Sequence, residues 1–146
     1  MPAEALHPMM VHFPIALLLV SLLVETLALF FKKPAWHRIT LWNLVLGTWG
    51  ALATVVTGGI SAAVASPGVA PEVARALEAH TVWGMVSFLL AVTVNAWHLG
   101  AGQQMKRSAR WMAWGLLFVT CGVVSYTGHL GARLVYQYGL VRVELP

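Results

Sequence analysis

Charge is what this chain has least of. Only 10 % of its 146 residues are Asp, Glu, Lys or Arg, and aspartate is absent altogether, against roughly 25 % charged residues in soluble domains. A chain 59 % hydrophobic, with a mean hydropathy of +0.75, has too little polar surface to cover a water-soluble globule and belongs in a bilayer. Cysteine is nearly missing as well. Cys121 stands alone inside an apolar run, so no internal disulfide forms and the residue reads as a small packing group. No Ser-His-Asp set, Walker loop, HExxH or dinucleotide fingerprint occurs, which leaves hydrolase and nucleotide-dependent activities without support.

Long apolar runs, by contrast, are plentiful. Four of them, at about 8–31, 39–65, 80–100 and 111–130, each reach the ~20 residues a helix needs to cross the hydrocarbon core. The first is preceded by MPAEALHP, which has no Lys or Arg, and is too long for the h-region of a signal peptide. The expected fold is all-α, a four-helix transmembrane up-down bundle forming one domain over 1–146. Six of the nine basic residues (Lys32, Lys33, Arg38, Lys106, Arg107, Arg110) fall in the first and third loops. Arg75, Arg133 and Arg142 share the other side with Glu4, Glu72, Glu78 and Glu144. The positive-inside rule then puts loops one and three in the cytoplasm and both termini outside. The net charge of +4 is thereby topological, and no nucleic-acid patch is expected.

Histidine is the chemistry-bearing residue that recurs. His12 lies 20 residues before Lys32, His80 lies 20 before Gly100, and His129 lies 19 after Arg110. At about 1.5 Å per residue, all three stand roughly 29–30 Å from the basic edge. His7 lies one to two turns further out. Gly58 shares that level on the second run, in a stripe with Gly50, Thr54 and Ala62; Gly84 shares a face with His80. Two readings of the stripe stay open: close small-xxx-small helix packing, or space for a flat macrocycle held between histidines.

Ionisable groups inside a membrane mark function by default, and neutral imidazole ligates iron, copper and zinc. Haem b needs only two axial imidazoles and no Cys-x-x-Cys-His, which is absent. His12 and His80, on runs that an up-down bundle sets diagonally, form the expected axial pair. His129 with His80 or His7 is the competing pair, and Arg75 and Arg133 are expected propionate partners. A copper or zinc site built from His12, His80, His129 and His7 is the alternative, and a structural or assembly subunit without cofactor is the other.

The opening HPMMVHFPIALLL, the Thr57-Gly58 end of the second run, the His80 start of the third and the ending GHLGARLVYQYG together resemble a bacterial membrane family, domain of unknown function 2231. The resemblance covers nearly the whole chain. It implies a four-helix membrane protein without an assigned activity, distantly similar to four-helix b-type cytochromes, with His7, His12, His80 and His129 at the family's histidine positions. Gly131-Ala132 stands where a Gly-Gly pair is expected. The localisation that follows is a bacterial inner membrane, with electron transfer as the role. A quinone and an outer-side c-type cytochrome are the candidate redox partners, lipid surrounds the chain, and a homo-oligomer stays open.

Glu25 sits seven residues inside Lys32, about 10 Å deep by helical rise. It is expected to be a protonated acid bonded to Asn43 or Asn95 across the bundle, with a proton or quinone site as the rival. His37 and His98 are expected as solvated residues at the cytoplasmic edge, or else as ligands of a second, inner haem.

Overall fold

A computed structural model describes residues 6–102 and 105–140. Among them every regular element is helical: α1 (Leu6–Met10), α2 (His12–Phe30), α3 (Pro34–Ala65), α4 (Pro71–Ala101) and α5 (Arg107–Tyr136). The first two form one apolar span, Leu6–Phe30, so that four helices are long and apolar enough to cross a membrane. The interruption at Val11 follows from Pro14, which has no N–H to return to Met10. Val11 itself keeps helical dihedrals, and its N–H still reaches the His7 carbonyl at 3.1 Å.

The helices outrun the apolar runs that predict them. The second begins at Pro34 rather than near residue 39, the third at Pro71, and the fourth continues to Tyr136. Proline at the first helical position costs nothing, because the donor it lacks would be unpaired there. The segment after the fourth apolar run is therefore helix for at least six residues.

Each span packs on the two beside it: α2 on α3, α3 on α4, α4 on α5 and α5 back on α2. The first and third spans thus face one another across the diagonal. A buried knot at mid-height takes one or more side chains from each span: Leu18, Leu44, Ala91, Val94, Leu117, Cys121 and Val124. The Cys121 thiol is buried and donates to the Leu18 carbonyl at 3.5 Å, in keeping with a packing role. The outer faces are apolar, as a lipid-facing bundle requires; Trp42 and Trp49 are 63 % and 67 % exposed on α3.

Candidate functional site

At the end of the bundle carrying the N-terminus, two histidines meet. The His7 and His80 ring centroids are 6.0 Å apart with planes at 78°. His7 Nδ1 donates to the Thr54 carbonyl of α3 at 3.0 Å, and His80 Nδ1 donates to the Thr127 carbonyl of α5 at 3.1 Å. Spending Nδ1–H on a carbonyl fixes the tautomer and leaves Nε2 with a free lone pair, the form in which an imidazole can ligate a metal. Each ring lies against a glycine. A Cβ on Gly58 would come within 2.9 Å of His7 Cε1, and one on Gly131 within 3.0 Å of His80 Cε1.

The two seats are copies of one another. His7 and His80, Thr54 and Thr127, and Gly58 and Gly131 are each 73 residues apart (7 to 80, 54 to 127, 58 to 131). The same offset relates the core residues Leu44 and Leu117. The chain is thus two helical hairpins with a shared histidine seat, Thr-x-x-x-Gly on the second helix of each.

The remaining sequence candidates do not join this pair. His12 and His129 are both exposed, outside the ring contact. Gly84 leaves a Cβ 4.0 Å from Thr127 Cγ2, an ordinary packing distance, while Gly58 makes room for an imidazole rather than for a separate plane. Arg75 is exposed, and Arg133 donates to Gln137 Oε1 at 3.0 Å and to the Tyr138 hydroxyl at 3.5 Å. Among the described residues no group of three or more His, Cys, Asp or Glu is placed to hold a metal ion. The four-histidine copper or zinc site is therefore not assembled. The small-residue stripe on α3 seats side chains of the first span, Phe13 at Gly50 and His7 at Gly58.

At the opposite, basic end lies a second polar centre that the sequence reading assigned to other partners. Glu25 is 1 % exposed. Both its carboxylate oxygens lie 2.8 Å from His37 Nδ1. Arg110 donates to His37 Nε2 at 2.7 Å. A guanidinium has no acceptor, so Nε2 accepts, Nδ1 carries the proton, and the imidazole is neutral between a cation and an anion. Glu25 is thus held by His37 rather than by Asn43 or Asn95; the Asn95 Oδ1 is buried without a partner among the described residues. His98 is likewise buried, not solvated. Its Nδ1 donates to the Val94 carbonyl at 2.9 Å, and its Nε2 has no partner among the described residues. With both His37 nitrogens engaged, the arrangement offers no His37–His98 pair for an inner haem.

A turn makes this contact. Lys33 N–H reaches the Ala28 carbonyl at 3.1 Å and Phe31 N–H the Leu27 carbonyl at 2.9 Å, while Lys32 takes φ +52°. That left-handed reversal resembles a Schellman ending and lets α3 start at once, folding His37 back beside Glu25. The signal was present in the sequence: Glu25 and His37 lie on opposite sides of one short basic turn.

A family model described as a predicted membrane protein matches residues 3–144. No curated protein and no solved structure matches the chain.

Proposed function

The chain belongs to the domain of unknown function 2231 family of predicted membrane proteins, and within it we propose a b-type electron carrier in which His7 and His80 would hold the haem. The observation that carries this reading is the adjacent imidazole pair, 6.0 Å between centroids with planes at 78°, each with Nδ1 tied to a carbonyl. Two metal–nitrogen bonds of about 2.0–2.1 Å, plus the ring radius on either side, call for centroids roughly 6 Å apart. The residues fit the group on that measure. Haem suits a two-imidazole site because the macrocycle supplies the other donors, whereas a closed zinc or copper site needs three or four from the protein.

Haem b, if held there, would supply reversible one-electron chemistry. The chain's own part is to fix the two imidazoles in one tautomer, to hold them at one depth on diagonal spans, and to keep the site near the membrane surface. With the basic loops in the cytoplasm, that surface is the outer one, and exchange there with a quinone or an outer-side redox protein follows from the location.

The test is the absorption spectrum of the detergent-purified protein from haem-replete cells. A Soret band with sharpened α and β bands on reduction is expected. His7→Ala and His80→Ala each remove the reduced spectrum, whereas His12→Ala and His129→Ala keep it. A colourless protein, or an unchanged spectrum in both His7→Ala and His80→Ala, overturns the proposal; stoichiometric copper or zinc without a Soret band transfers the pair to a metal ion.

A further inference from the structure

The repeat behind the His7–His80 pair runs the length of the bundle, and at the basic end its two halves differ. Glu25 and His98 are 73 residues apart, as are His37 and Arg110 of the Glu25–His37–Arg110 relay. Glu25 lies 18 residues beyond His7, and His98 lies 18 beyond His80. That is about five full turns, so each returns to the side of its helix on which the outer histidine stands. The buried seams between them agree: Leu18, Ser21 and Glu25 on α2, and Ala91, Val94 and His98 at the matching places on α4. An acid on one span thus has a base as its counterpart on the other, and the two interact electrostatically.

His98 is 7 % exposed, and only one of its nitrogens is used. Nδ1 donates to the Val94 carbonyl at 2.9 Å, which leaves Nε2 an acceptor, buried and without a partner among the described residues. Asn95 Oδ1 is a second buried acceptor in the same condition. The two residues are three apart on one helix, hence neighbours on its surface. Two acceptors cannot bond each other, and burying either unpaired costs free energy. One added proton resolves both, because it turns Nε2 into a donor that Asn95 Oδ1 can accept.

The surroundings favour that charge. From α2 the Glu25 carboxylate supplies the opposite sign. His98 stands in the last turn of α4, where the helix dipole favours a cation. From α3, His37 is neutral between its two partners. From α5, the Arg110 guanidinium opposes the charge, but it is engaged at His37 Nε2, across that ring from Glu25. We propose that His98 is a proton-binding site at the basic end of the bundle, with Asn95 accepting its new N–H and Glu25 as counter-charge. In the step, hydronium gives its proton to the Nε2 lone pair, an N–H bond forms, water leaves, and the site gains one positive charge. Neither the step nor its residues involve His7 or His80, five turns away.

NMR titration of the full-length, ¹⁵N-histidine-labelled protein in detergent tests this, with the His98 signals assigned through correlations to Trp97 and Leu99. On acidification Nε2 should pass from the bare-nitrogen to the proton-bearing range, while Nδ1 stays proton-bearing. Glu25→Gln should require roughly tenfold more proton for the same passage, and Asn95→Ala several-fold more. Potentiometric titration gives a second readout: the parent should take up one proton more per chain than His98→Gln. An Nε2 that stays bare while the other histidines charge, as a bridging water in place of a proton would leave it, overturns the proposal. So does one that titrates alike in the parent and in both variants. The parent's own titration decides the matter should a variant fail to fold.

Discussion

A single methyl group separates the two histidine seats from an ordinary helix crossing. At Gly58 and Gly131 a Cβ would fall 2.9 and 3.0 Å from an imidazole carbon, and each imidazole is tied down by its Nδ1 bond. The ring therefore has little room to yield. Gly58→Ala and Gly131→Ala should each destabilise the detergent-solubilised protein by on the order of 1–3 kcal/mol, as overpacking does, seen as a lowered unfolding temperature. Gly59→Ala, with open space at its Cβ, is the neutral control. At this scale the approximate level of the histidines was legible in the sequence, but the direction in which each points was not. His12 is five residues after His7, which turns it about 140° around the helix, so the two cannot both face the partner span. His129 falls midway between Thr127 and Gly131, on the far side of α5 from the seat they make. Counting from the basic edge set His12, His80 and His129 level and His7 further out, and it chose His12 over His7 because height along a helix carries no azimuth.

The first hairpin depends on one residue in an unfavoured conformation. Lys32 is the only non-glycine residue with positive φ among those described. Its reversal closes α2 against α3 and brings Glu25 under His37. A β-branched residue tolerates that region poorly, so Lys32→Val should cost about 1–2 kcal/mol in thermal unfolding, while Lys32→Gly should stay within about 1 kcal/mol of the parent. The basic stop and the following proline were legible as the end of a helix. That the stop is also a hinge joining a buried acid to an imidazole was not, since the bond forms only once both helices have bases and directions.

For the molecule as a whole, the two hairpins run in the same sense, each starting and finishing at the end where His7 and His80 meet. Six of the nine basic residues gather at the opposite end, and the positive-inside rule makes a cytoplasmic location of that end the expected outcome. In a Cys121→Ser background, Ser66→Cys should react with an impermeant maleimide on intact cells, and Lys106→Cys only after permeabilisation. The reverse pattern would invert the orientation.

Composition and run length alone determined that this is a four-span helical membrane protein, because burying about 20 apolar residues in lipid fixes the element before any partner is chosen. The identity of the meeting histidines, the doubled Thr-x-x-x-Gly seat and the Glu25–His37–Arg110 relay were decided by tertiary structure. Each depends on which face of one helix is turned toward another, and that is set by close packing between spans rather than by transfer into the bilayer.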